Sequence, residues 1–469
     1  MCRFRARTFR ERSSAGLQSC DSRAATLIRC ATAGLLLLTC ACGRASRSPL
    51  DDAADRYVRL AVALGERDPD SLDFYAGAVD RVSDIRNSPP PLTQIKRDAD
   101  ALSADVSRVS TGTAADTARA SALVADLSAI SARVSLLTGT RQTYNEESVA
   151  FFGIAPEPLD ERRMNDIRSQ IAGIIGPEGR LVHRYAAFVE RFVIPADRLP
   201  AVMNAALEEC RSRTLAHLAL PPGEVVTIEF VRDKPWSAFS RYLGNARSRI
   251  QINTDFLFTV DQALQIACHE GYPGHHTRNT LMTSVPVAQG TQGAQVAQVA
   301  QGAQGAQVAQ VAQGFSLAVE RSVQLMFSPE ALVSEASAML AADVAFSPDE
   351  RIRVERDRLF PLAGLDPAGA EQHIAIERLV GELQSVQADV ARRYVDGELE
   401  FSRAVTALEQ QALVPYAEAM LKYVNEYRSY VTTYTTGRDA FAARLAACAD
   451  ATGQSPWRCF EGLMLKRGL

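Results

Sequence analysis

From Asp51 onward, apolar residues return every three or four positions. AADRYVRLAVALGERD, IKRDADALSADVSRV and TARASALVADLSAISARVSLL each read as an amphipathic helix. Alanine, leucine, arginine and glutamate dominate these stretches, and all four favour helix intrinsically. SPPPL at 88–92 and TGTAAD at 111–116 interrupt the rhythm and predict breaks. The C-terminal half repeats the theme from GAEQHIAIERLVGELQSVQADVARRYVDGEL through ALVPYAEAMLKYVNEYRSYVTTYTTG. Two segments differ. EVVTIEFVRD at 224–233 and SRIQINTDF at 248–256 alternate apolar and polar residues with β-branched side chains, so two or three strands are expected there. The predicted fold class is mainly α, a large helical, two-lobed body with a small β-sheet.

Composition adds a leader and removes one class of partner. The first residues are arginine-rich and run into the short apolar stretch LLLLTCAC. That stretch is too short to span a membrane and reads as a secretory signal with a lipoprotein-type ending. Cys42, before Gly43, is the expected lipidation site, so the protein is expected in the periplasm or cell envelope, held to the membrane only through a lipid anchor. Residues 1–47 are thus assigned as leader and linker, and residues 48–469 as one helical domain. Residues 1–41 carry seven arginines against Glu11 and Asp21, a surplus of five, so without them the net charge moves from −4 to about −9. An acidic chain of this kind argues against nucleic acid as a partner. Four cysteines remain in the body. Cys448 and Cys459 are near enough in sequence to bond in an oxidising compartment, or to pack as small hydrophobes.

Residues 287–313 are nine triplets of the form Val/Gly, Ala/Thr, Gln, without charge, aromatic or proline. So little apolar bulk does not repay ordering, and the tract is expected to be a low-complexity insertion in a surface loop.

The candidate chemistry lies in IACHEGYPGHHTRN, residues 266–279, where three of the six histidines of the chain fall within eight positions. In HExxH, histidines at i and i+4 share a helical face beside a glutamate that serves as base. Here the string is HEGYPGH. On a straight helix His275 would lie about 9 Å along the axis from His269, and His276 about 10.5 Å. Neither could then share a metal with His269. Pro273 cannot donate to the carbonyl of His269 and biases Tyr272 away from helical dihedrals, and Gly274 permits a tight reversal. A turn at Pro273-Gly274 is therefore expected to return His275, or alternatively His276, to His269.

HEGYPGHHTRN resembles the signature of the bacterial domain-of-unknown-function 885 family, which is grouped with helical HExxH-type zinc peptidases. YNEES, LPPGEVVTIEFVRDKPWSAFSRYLGNARSRIQINTD, LVSEASAMLAADVAFSP, RDRLFPLAGLDP and YRSYVTTYTTGRD resemble further blocks of that family in family order, across most of residues 140–440. The resemblance implies a metallopeptidase-like body and a glutamate completing the metal shell from a later helix. Glu335 is the matching position, with Glu320 its nearest competitor. Ala336 stands where relatives carry glycine.

On this reading Zn2+ is held by His269, His275 and Glu335, and Glu270 is the general base. Tyr434 is the candidate oxyanion donor, with Tyr430 and Arg428 behind it. RYLGNARSRIQIN could form an edge strand for an extended peptide, with Asn245 or Asn253 touching its backbone. The expected activity is zinc-dependent hydrolysis of short peptides. The competing expectations are a non-catalytic metal- or peptide-binding lipoprotein, and a hydrolase of other amides or esters.

Overall fold

The structure is a computed structural model, and it describes residues 48–234, 236–284 and 318–469. The leader with Cys42 and the 287–313 triplet tract lie outside the described residues. The described body is mainly α-helical with two small sheets.

Two hydrophobic cores organise it. The first is built by the helices Pro49–Arg67, Leu92–Ser107 and Ala114–Leu137, whose apolar stripes meet through Tyr57, Val58, Leu64, Ile95, Leu102, Leu127 and Ile130. Ser48 opens the first of these helices with a reciprocal capping box to Asp51, and Thr113 caps the third through Asp116. SPPPL falls between helices as expected, whereas the TGTAAD break is shorter than expected, because the chain turns helical at Ala114 as soon as Thr113 has capped it. Ala114–Leu137 is long and apolar enough to cross a membrane by length and composition. Its Leu123, Leu127, Ile130 and Val134 are buried in this core.

The second and larger core gathers most of the remaining helices, with Leu264, Val333, Phe360, Val424, Phe441 and Phe460 among its buried members. A third cluster, Phe151, Phe152, Phe327, Ala331, Leu332 and Tyr430, includes residues of the helix Pro329–Met339. The disulfides Cys210–Cys268 and Cys448–Cys459 brace the larger core.

The expected strands form a three-stranded sheet in the order β2 (Val225–Val231), β4 (Arg247–Asn253), β3 (Ala238–Gly244), with β2 parallel and β3 antiparallel to β4. A second pair joins β1 (Leu72–Tyr75) to β5 (Val323–Leu325), antiparallel. That pairing bridges residues 250 positions apart, and the alternation in so few residues is too short to read from sequence. Strand β4 is therefore the central strand of its sheet, and the free edge beside the histidine cluster belongs to β3.

The C-terminal helical stripe is not continuous. The helix Ala417–Tyr427 ends at Arg428, which takes φ +50°, and a short 3-10 turn and a wide turn at Thr433–Gly437 precede the helix Arg438–Thr452. The break aims the tyrosines of this stretch toward the histidine cluster instead of leaving them all on one helical face.

Candidate metal and catalytic site

The site begins with a helix that changes pitch. Thr259 caps Val260–Ile266 with a capping box to Gln262, and the helix then widens into a π-turn over Ala267–Gly271 that carries both His269 and Glu270. Tyr272 is extended, the Tyr272–Pro273 peptide is cis, and the Gly274 amide donates back to the Cys268 carbonyl at 3.0 Å. A new helix starts at His275 and runs to Ser284. Only glycine fits at 274, because a Cβ there would lie 1.9 Å from the His269 carbonyl oxygen and 2.5 Å from that of Cys268. The widened turn and the return at Pro273-Gly274 together remove the axial separation that a straight helix would impose.

As a result, Nε2 of His275 lies 3.1 Å from Nε2 of His269, with the rings near perpendicular. Glu335, on Pro329–Met339, places Oε2 3.4 Å from Nε2 of His269 and 3.5 Å from Nε2 of His275. The three atoms form a nearly regular triangle. Donors at about 2.0–2.1 Å from one tetrahedral ion stand about 3.3–3.4 Å apart, so the spacing fits a single small cation. Glu335 is 8 % exposed, and Oε2 is the oxygen that no hydrogen bond satisfies, whereas Oε1 accepts from the Tyr430 hydroxyl at 2.9 Å. An orphaned buried carboxylate oxygen facing two imidazole nitrogens is a donor set open for a cation.

Charges in this corner are strongly coupled. Burial opposes ionisation of Glu335, but His275 and His269 beside it hold its carboxyl well below the usual carboxylate range. Burial also works against a charged His275, yet the carboxylates around it, Glu335 first and then Glu270 and Asp73, together outweigh it and push the imidazole up to about 9. Nδ1 of His275 lies 3.1 Å from Ser334 Oγ, which fixes the ring. Glu270 is raised, chiefly by burial, with Glu335 adding to the effect and His269 and His275 opposing it. A backbone hydrogen bond from Ser240 on β3 supports its charged form. His269, Glu270 and His275 can present one donor atom each within 4.8 Å of one another.

These groups line a cavity of about 490 Å3. One wall is the stretch from Glu66 to Asp73, another is Trp236 and the free edge of β3 from Ala238 to Arg241, and the far wall carries Tyr423, Tyr427 and Tyr434. The Tyr423 and Tyr434 hydroxyls share a hydrogen bond of 3.0 Å. The pair holds two hydroxyl hydrogens and uses one between its members, which leaves one to donate into the cavity. Asp73 also reaches this space. Its Oδ2 accepts from Gln324 at 2.7 Å, and burial pushes its carboxyl up to about 7.

Several expected roles change on the structure. His276 is fully buried and belongs to a separate bracket: Nε2 lies 3.1 Å from Glu224 Oε2 and Nδ1 lies 2.8 Å from Ser248 Oγ. Tyr272 also donates to Glu224, and Arg211 holds its other oxygen at 2.5 Å. Glu320 faces Arg119 at 2.6 Å, remote from the histidines. Asn245 sits exposed in the turn after β3 with φ +51°, and Asn253 is buried, donating to the Lys234 and Trp236 carbonyls at 3.0 and 3.1 Å. Neither lines the cavity, so the expected contact with a substrate backbone is corrected: Asn253 pins the loop before β3. Arg428 is likewise drawn away, to Glu147 at 2.7 Å. Tyr430 is buried against Glu335 and orients the carboxylate instead of meeting a ligand. Ala336 is fully buried in the larger core, where its methyl packs clear of the cavity lining.

Three supporting features escaped the sequence reading. The Cys210–Cys268 bond ties the helix Leu199–His217 to the residue before His269. Cys268 stands next to the motif, but its partner is 58 residues away and no spacing rule connects them. Asp73 and Tyr423 carry no local signal at all and reach the cavity only through tertiary packing.

No family model matches the chain, and no curated protein matches it. Among solved structures it is similar to "the putative lipoprotein from Colwellia psychrerythraea", with TM-score 0.46 and 13 % identity, over 83 % of this chain and 67 % of that one.

Proposed function

We propose that this protein is an exported, lipid-anchored, zinc-dependent hydrolase, a metallopeptidase of the helical HExxH type that cleaves short peptides. The observation that carries the reading is the triangle of His269 Nε2, His275 Nε2 and Glu335 Oε2 at 3.1–3.5 Å, with Glu270 buried beside it. Two nitrogens and one carboxylate oxygen, with a coordination position left open, suit catalytic zinc. When bound, the ion supplies Lewis-acid polarisation of the scissile carbonyl and of the attacking water.

The rest is the work of the chain. With Nε2 of His275 turned into the triangle, its Nδ1 carries the hydrogen and donates to Ser334, which fixes tautomer and ring orientation. Tyr430 does the same for Glu335 by donating to the oxygen that is not aimed inward. Glu270, whose proton affinity burial raises, accepts the proton of the attacking water and passes it to the departing amine. Tyr434, through the free hydroxyl hydrogen of its pair with Tyr423, donates to the oxyanion. The outer edge of β3 lies along the cavity, and its backbone groups other than the Ser240 amide, which Glu270 holds, suit an extended peptide backbone.

The test is turnover of a peptide library by the metal-loaded protein and by Glu270→Gln. The reading expects cleavage by the first and a loss of about 100-fold or more in the second, with metal still bound. Unchanged turnover in Glu270→Gln would remove the assigned base, and cleavage of esters alone would remove the peptidase label.

A further inference from the structure

A second cavity of about 200 Å3 adjoins the first, and Tyr423 and Tyr434 line both. Its other walls are Met339, Met420, Val431, Gln384, Gln387 and Thr435, whose hydroxyl donates to the Val431 carbonyl at 3.4 Å. Met339 closes the same helix that presents Glu335, four residues further on, so the cavity flanks the metal-binding triangle on the tyrosine side.

We propose that this second cavity is the specificity pocket of the cleft. It takes an uncharged apolar side chain of leucine, methionine or phenylalanine size from the substrate residue beside the scissile bond. The proposal rests on the hydrolase reading above and adds to it the class of side chain selected. Size is the first argument. A cavity of about 150 Å3 already admits a benzene ring, and this one is larger. Chemistry is the second. Among the described residues no charged side chain lines the cavity, so a carboxylate or ammonium entering it would lose hydration without gaining a partner. The amide of Gln384 is engaged, its Oε1 accepting from Arg438 at 3.2 Å. The two methionines offer flexible, polarizable surface that adapts to unlike apolar shapes. The first cavity, in contrast, mixes apolar side chains such as Trp236 and Phe239 with the carboxylates of Asp70, Asp73, Glu270 and Glu335. The shared tyrosines set the position: Tyr423 and Tyr434 line both cavities, so a side chain seated in the second packs on the rings whose residues border the first and its metal-binding triangle.

The test uses blocked tetrapeptides varied at one position, next to the cleaved bond, among leucine, methionine, phenylalanine, alanine, aspartate and lysine. Hydrolysis is followed with the metal-loaded protein, and binding is followed by calorimetry with the Glu270→Gln protein. The expected result is a preference of at least about 10-fold for leucine or methionine over alanine, and a larger one over aspartate. Met420→Trp and Gln387→Phe, which add bulk at two positions of the lining, should each shrink the leucine-to-alanine ratio to within about twofold, while Met420→Leu keeps it. An unchanged side-chain profile in both filled variants overturns the proposal, as does a wild-type preference for charged residues or binding of none of the peptides. Binding with the leucine preference but no cleavage leaves the pocket standing and removes the hydrolase reading. Cleavage without the preference removes the pocket alone.

Discussion

Gly274 is packed against the His269 carbonyl so closely that a single added carbon would sit 1.9 Å from the oxygen. The amide of Gly274 meanwhile closes the turn onto Cys268 at 3.0 Å. One residue thus lets the chain double back inside the motif and carries His275 to His269. Gly274→Ala should open the turn and separate the two imidazoles. The expected outcome is a fall in metal affinity of at least about 100-fold, read by competition with a chelator, together with a lower melting temperature. Wild-type affinity in this variant would mean that the turn does not position His275.

Tyr430 tests the support of the triangle without touching the turn. Its hydroxyl is the partner of Glu335 Oε1, and its ring packs between Phe152 and Phe327. Tyr430→Phe keeps the ring and removes the donor. Metal affinity should drop by about 10- to 100-fold, the usual cost of losing a partner behind a ligand, with little change in the circular dichroism spectrum.

The buried Cys210–Cys268 bond closes a span of 58 residues and holds the residue beside His269. Replacing both cysteines by alanine should cost about 2–4 kcal/mol of stability in denaturant titrations, by loss of the constraint on the unfolded chain. It should also weaken metal binding, because the π-turn loses its tie to Leu199–His217. The Cys448–Cys459 pair lies outside the cavity lining, and removing it should lower stability while leaving metal affinity unchanged.

Glu224 gives the protein an acid-sensitive bracket. Burial opposes its charge, but hydrogen bonds from His276, Tyr272 and Arg211 prevail and hold the carboxyl at about 2. Its folded-state value therefore lies below the ordinary glutamate value near 4.5, and the unfolded chain binds the extra proton first. Stability from this group is full above about pH 4.5 and is lost as pH falls toward 2. Glu224→Gln should be less stable at neutral pH and show a flatter fall between pH 4.5 and 2, measured by chemical denaturation across that range.

How far the sequence carries a reader differs between the parts of this site. The helical stripes and the strands β2 and β4 follow from local periodicity, and the return at Pro273-Gly274 follows from what proline and glycine do to a helix. The pairing of β1 with β5, the Cys210–Cys268 bond and the arrival of Asp73 in the cavity join residues far apart in the chain, where no local pattern points. Arg428 and Asn253 show the opposite failure. Each stands in a suggestive stretch, yet nearby partners, Glu147 for one and the Lys234 and Trp236 carbonyls for the other, had claimed its polar atoms.

The central claim is that His269, His275 and Glu335 hold one divalent ion while Glu270 does not. Metal stoichiometry by elemental analysis after reconstitution with zinc tests it most directly, on the wild type and on His269→Ala, His275→Ala, Glu335→Ala and Glu270→Gln. The account predicts one zinc per chain in the wild type and in Glu270→Gln, and none in the other three. A wild type that binds no zinc, or a His275→Ala protein that retains a full equivalent, would contradict it.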